Sequence, residues 1–149
     1  MKKLKLGNAV LCEHVVQGAS NKHILINTYS GDIVVDAIPG QLMFGIYIEV
    51  ELPRNDTNSI LIDMAYNGTT QVSARAVMVA GKGGDRGVVV LPLVPISIEA
   101  PGIFEVTLSS PGFARTIAVR KSITEGDTTK YSSATLQPSE QSPPAVQGS

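Results

Sequence analysis

The feature that most constrains the fold is a long alternation of apolar and polar side chains between residues 41 and 66. Successive side chains of a β-strand point to opposite faces, so a two-residue period predicts a strand with one buried face. The apolar positions are Leu42, Phe44, Ile46, Ile48, Val50 and Leu52 before a polar turn, and Ile60, Ile62, Met64 and Tyr66 after it. The pattern predicts two long antiparallel strands joined as a hairpin, with an apolar face that other elements must cover.

Shorter segments of strand-like composition follow one another along the rest of the chain, separated by turn signals. We expect strands at residues 4–16, 22–29, 33–35, 70–79, 88–94, 103–108 and 113–119. Asn67-Gly68 is a strong tight-turn signal, because both central positions of a type I′ turn need positive φ. No segment shows a sustained helical period. Regular short strands with intervening turns predict an all-β fold, a two-sheet antiparallel β-sandwich of the immunoglobulin-like or a similar type.

Two details of the later strands follow from their residues. Pro92 and Pro95 cannot donate backbone hydrogen bonds, so the apolar segment 88–94 is expected to form an edge strand or a bend. In the segment 113–119, strict alternation places Arg115, Ile117 and Val119 on one face of a strand.

The composition changes beyond Lys121. Residues 122–149 are mostly Ser, Thr, Pro, Gln and Gly, with few apolar side chains. Such a segment cannot bury enough apolar surface to offset the entropy lost on ordering. The sequence therefore predicts one β-sandwich domain over residues 1–121 and a disordered tail over residues 122–149.

Composition and charge restrict the classes of partner. Twelve basic and thirteen acidic residues give a formal net charge of −1, which does not favour nucleic acid or an anionic membrane. Aromatic residues make up 5% of the chain and Trp is absent, so a binding face built on aromatic stacking is poorly supplied. The single cysteine, Cys12, cannot form an intramolecular disulfide, which fits a reducing compartment. We expect a cytoplasmic protein with a protein partner or self-association.

The N-terminal quarter contains an LCE segment, a glycine-bearing turn and a later Y-x-G-D-I segment. The residues concerned are Cys12, Glu13, Lys22, Leu25, Tyr29, Gly31, Asp32 and Ile33. In these features the chain resembles a family of bacterial and phage-associated domains of unknown function. His14 and Asn27 depart from the commoner residues. The resemblance implies a β-sandwich and supplies no catalytic residue.

The glycine-rich segment 81–87 is the main candidate for ligand binding. Its glycines can expose backbone N–H groups, and Lys82, Asp85 and Arg86 add charged side chains. A P-loop needs a longer glycine spacing followed by Lys-Ser or Lys-Thr at the start of a helix. Here Val88 begins an apolar strand instead, so an ordinary flexible loop is the favoured interpretation.

Cys12, His14 and His23 are the available soft metal ligands. Cys12 and His14 share one strand face, but a closed zinc site needs four ligands and no second pair is suitably spaced. A packed thiol and ordinary histidines are favoured, and no metal or cofactor is expected.

Carboxylates and nucleophiles give equally weak signals. Glu49 and Glu51 share a strand face, with Asp63 across the expected hairpin, but a solvated sheet face explains them better than acid–base catalysis. No Gly-x-Ser-x-Gly elbow is present. The sequence therefore predicts a non-catalytic binding or structural module rather than an enzyme. The alternative is a sandwich that binds a small ligand or carbohydrate through its loops.

Overall fold

The chain folds into two β-sheets that pack face to face. The computed structural model describes residues 2–20, 22–52, 57–79 and 85–128, and these residues form ten strands and no helix. The strands are β1 (Lys2–Lys3), β2 (Lys5–Gln17), β3 (His23–Thr28), β4 (Ile33–Val35), β5 (Gly40–Leu52), β6 (Thr57–Tyr66), β7 (Thr69–Val79), β8 (Asp85–Ile98), β9 (Gly102–Ser110) and β10 (Phe113–Glu125). The predicted all-β, two-sheet sandwich is confirmed.

One sheet has four strands and the other has six. The four-stranded sheet has the order β3-β2-β5-β8, with antiparallel pairing throughout. The six-stranded sheet has the order β1-β10-β9-β6-β7, and β4 also pairs with β10. Both β1 and β4 run parallel to β10, at opposite ends of the same edge.

The core lies between the inward faces of the two sheets. The alternation in β5 and β6 is present as predicted: Phe44, Ile46 and Ile48 are fully buried, as is Ile60 across the interface. The rings of Phe44 and Phe104, one from each sheet, lie 4.6 Å apart between centroids. Full burial of each such side chain stabilises the fold by about 1.5–3 kcal/mol.

The predicted β5–β6 hairpin is wrong. β5 pairs with β2 and β8, whereas β6 pairs with β7 and β9 in the opposite sheet. The chain therefore crosses between sheets after β5. Two strands with one apolar face each can bury those faces against each other across a sandwich as well as side by side. Alternation predicts the faces but does not choose between these arrangements.

β10 departs from its prediction in two respects. A register irregularity between Ile117 and Val119 reverses the alternation, so Ile117 is 56% exposed while Val119 is 7% exposed. The strand also continues past the expected domain boundary at Lys121 to Glu125, and Ile123 is fully buried. The ordered fold thus includes residues that the sequence assigned to the tail. Residues 129–149, the rest of the predicted tail, lie outside the described residues.

Candidate functional site

The residues proposed for ligand binding are only partly placed. Lys82 lies outside the described residues, and the side chain of Asp85 is not described. Arg86 is exposed at the start of β8, where its Cα partner in the ladder is Glu51. The structure therefore brings no set of charged groups together at this loop within the part of the chain that it describes.

Cys12 is a packed thiol at the join between β2 and β5. It is fully buried, and its Sγ lies 3.4 Å from the His14 carbonyl oxygen and 3.5 Å from that of Gly45. Burial raises the pKa of the Cys12 thiol above its ordinary value of 9.0. His23 packs instead against Tyr47, with ring centroids 5.5 Å apart. Among the described residues, no group of three or more His, Cys, Asp or Glu side chains is placed to hold a metal ion.

The predicted carboxylate group is divided between the two sheets. Glu49 is half-buried and its Oε1 accepts a hydrogen bond of 2.9 Å from the Asn8 N–H, next to a bulge in β2. Glu51 is exposed on the same strand, opposite Lys5. Asp63 lies in the six-stranded sheet, where it accepts from Ser73. Each carboxylate has its own neighbours, and the three do not come together in one site.

The second half of β2 leaves β5 and folds, together with β3, over the outside of the four-stranded sheet. The β2–β5 register ends at Cys12 opposite Gly45. A Cβ on Gly45 would lie 2.8 Å from the Val15 nitrogen and 2.9 Å from the His14 carbonyl carbon. The backbone of β2 therefore passes directly over Gly45. We call residues 13–20 and 22–28 the folded hairpin.

The folded hairpin has apolar side chains on both faces. Val15 is 2% exposed, and Leu25 and His23 line the cleft against Tyr47 on the sheet below. The opposite face carries Ile24, which is 55% exposed, and Ile26, which is 40% exposed.

The sequence carried a signal for this surface. The run Ile24-Leu-Ile26 is apolar at consecutive positions, which is typical of a strand that contacts something on both sides. That signal predicts a covered strand, but it does not show where the strand lies.

The edge of β3 lacks the protection that the edges of β8 and β10 have. β8 is an edge strand, as Pro92 and Pro95 predicted, and the Gln71 side chain bonds both the N–H and the carbonyl of Ser97 at 2.8 Å. The outer edge of β10 is covered at both ends by β1 and β4. Between His23 and Thr28, β3 has no proline and no acidic or basic residue apart from the histidine. An exposed apolar edge of this kind is a template for pairing with another strand.

A separate cleft lies between β2 and β10. It has a volume of about 460 Å³ and is lined by apolar side chains such as Leu11 and Val119, together with Tyr29, Arg120 and Lys121. Burial raises the pKa of Tyr29, and Arg120 forms an ion pair of 3.5 Å with Glu105. The described lining contains no carboxylate, thiol or imidazole, and its proton-exchanging side chains are Tyr29 and Lys121.

Comparison with known proteins assigns no family. No protein-family model matches the chain, and no curated protein sequence matches it. Within the described residues, no helix has the length and apolar character needed to cross a membrane.

Proposed function

We propose that the protein is a non-catalytic β-sandwich module that functions through contact with protein surfaces in the cytoplasm. It uses no cofactor, and neither nucleic acid nor a membrane is its partner. The single observation that carries this proposal is the apolar outer face and unprotected edge of β3, where Ile24 and Ile26 are exposed. Adjacent exposed apolar side chains on an open edge are typical of an interaction site.

The folded hairpin includes part of the N-terminal quarter that resembles a phage-associated domain family of unknown function. Several residues of that resemblance, including Lys22, Leu25 and Tyr29, lie in or next to the folded hairpin. The region that resembles the family is thus the region that presents the apolar surface.

A second candidate function is the binding of a small ligand or carbohydrate. The cleft between β2 and β10 supports it, because its volume of about 460 Å³ falls within the usual range for small-molecule sites. Arg120 and Lys121 at this cleft would favour an anionic ligand.

A thermal-shift screen with sugars, nucleotides and divalent ions separates the two candidates. A ligand that binds only the native state raises the melting temperature, and the shift keeps growing with ligand concentration above its Kd. We expect no concentration-dependent shift. A concentration-dependent shift that is lost in Lys121→Ala would replace protein binding by ligand binding as the proposed function.

Size fractionation tests the protein-binding role directly. In extract of the cells that naturally produce it, we expect the full-length chain to migrate in an assembly larger than a monomer. Ile24→Ser with Ile26→Ser should migrate as the free chain while keeping the wild-type melting temperature. Val77→Ser, at a 66% exposed position on β7, is the matched control and should behave as wild type. Migration of the wild type as a free monomer would contradict the proposal.

A further inference from the structure

We propose that β3 pairs in antiparallel fashion with β3 of a second copy, joining two four-stranded sheets into one continuous sheet. This inference rests on the proposed function, because it names the partner that the folded hairpin binds. Three features of β3 support it: its unpaired backbone groups, the spacing of its apolar side chains and its lack of like charges.

The backbone of β3 has hydrogen-bonding groups directed away from β2. Among the described strands, only β2 pairs with β3. The Gly18 N–H donates to the Lys22 carbonyl at 2.7 Å, which directs that carbonyl toward β2. The direction of the backbone N–H and C=O groups alternates along an antiparallel ladder. Ile24 and Ile26 therefore also direct their backbone groups to β2, while His23 and Leu25 direct theirs to the open edge.

The side chains of β3 are self-complementary about Leu25. If a twofold axis passes beside Leu25, each Ile24 lies opposite the partner's Ile26. Residues directly opposite in such a position have closely spaced side chains and interact favourably. The twofold contact thus covers all four exposed isoleucines at once. An isologous interface requires this property of a surface that meets its own copy.

Charge also favours a second copy over a charged partner strand. Pairing centred on Leu25 opposes no two like charges, because β3 contains no Lys, Arg, Asp or Glu. Asn27 has a positive φ of 53° and ends the regular part of the strand. The pairable edge is therefore short, and the isoleucine contacts must supply most of the specificity. We expect a reversible dimer that forms at micromolar or higher concentration.

Sedimentation of the purified full-length chain across a wide concentration range tests the inference. We expect a monomer–dimer equilibrium for the wild type. Ile24→Asp and Ile26→Lys should each weaken dimerisation at least tenfold, because each places a charge against an apolar partner. Val77→Asp changes an exposed valine on the opposite sheet and should leave the equilibrium unchanged. Melting temperatures close to wild type would show that these exposed substitutions preserve the fold.

A mixture of the Ile24→Asp and Ile26→Lys chains tests the register. In the proposed pairing, the two new charges face each other across one contact and the remaining isoleucines face each other across the second. The mixture should therefore dimerise more strongly than either chain alone. A wild type that stays monomeric, or dimers that persist in both single variants without rescue in the mixture, would overturn the inference. A purified monomer that still joins a larger assembly in extract would overturn this inference alone and leave the proposed function standing.

Discussion

Gly45 permits a close backbone approach on the outside of the four-stranded sheet. A Cβ at this position would meet the Val15 nitrogen at 2.8 Å and the His14 Cα at 3.0 Å, and backbone atoms cannot rotate away as a side chain can. Gly45→Ala should lower the free energy of unfolding by about 1–3 kcal/mol, in the range for overpacking. Urea denaturation measures the change.

Gly40→Ala is the control for Gly45→Ala, since it lies on the same strand. A Cβ there would meet only the Ala37 carbonyl oxygen, at 3.4 Å. We expect this substitution to change stability by less than about 0.5 kcal/mol. If the loss of unfolding free energy in Gly45→Ala were as small as that in Gly40→Ala, the folded hairpin would not pack on Gly45.

Ile48 and Glu49 are neighbours in β5 with opposite surroundings. Ile48 is fully buried, so Ile48→Ala should cost about 2–5 kcal/mol. Glu49 accepts the Asn8 N–H at 2.9 Å, so Glu49→Ala should cost about 1 kcal/mol, more than a fully solvated glutamate would. Glu49→Gln keeps an acceptor and should cost less than Glu49→Ala. If urea melts reversed the order of Ile48→Ala and Glu49→Ala, the assignment of the two faces would be wrong.

The end of β10 is part of the fold, so two truncations should differ. Removing residues 122–149 deletes Ile123, which is fully buried, and Glu125, whose Oε2 accepts the Ile38 N–H at 3.0 Å. This truncation should lower stability by at least about 2–5 kcal/mol, the cost of losing one buried aliphatic side chain.

Removing only residues 129–149 keeps these contacts and the 2.7 Å bond from Thr128 to Asp36. It should leave the melting temperature nearly unchanged, because a polar tail contributes little buried area. Ile123→Ala in the full-length chain should reproduce much of the loss seen in the longer truncation. Thermal melts of the three proteins would test this, and equal melting temperatures for the two truncations would contradict it.

At the scale of elements, the sequence predicted strand positions and most faces but not strand partners. The period of two is local, so the core face of β5 could be read from residues such as Phe44 and Ile46 alone. Pairing depends on contacts between distant segments, and the hairpin expected from β5 and β6 is instead a crossing between sheets. The irregularity beside Ile117 also has no simple sequence signal, because one extra residue reverses the alternation without changing composition.

The candidate surface was harder to predict than the core. The apolar run Ile24-Leu-Ile26 is typical of a strand covered on two sides, although no prediction from the sequence was based on it. It could not show that β2 bends over Gly45, which requires the position of β5. The proposed interaction depends on this long-range arrangement, since the same β3 inside a sheet would present no free edge.

At the scale of the whole molecule, folding favours the protonated forms of three weakly acidic side chains. Burial is the largest cause that raises the pKa values of Cys12, Tyr29 and Tyr66 above their ordinary values of 9.0 for the thiol and 10.0 for the phenols. The folded state then binds more protons than the unfolded state once the pH exceeds the unfolded pKa. The contribution of these three groups to the free energy of unfolding is therefore fully present below about pH 9. It is lost as the pH rises through the folded pKa values.

Urea melts from neutral pH to above pH 10 should show this alkaline loss, beginning with the thiol and continuing with the phenols. Cys12→Ala should reduce the slope near pH 9, and Tyr29→Phe should reduce it at higher pH while keeping the edge contact with Phe44, whose ring centroid is 5.3 Å away. The buried thiol should also react with a thiol reagent only when the chain unfolds. A constant unfolding free energy across this range would contradict the raised pKa values. Rapid labelling of Cys12 in the native state would show that the join between β2 and β5 opens to solvent. The folded hairpin would then be a mobile cover, and its apolar face would no longer be held in the geometry that strand pairing requires.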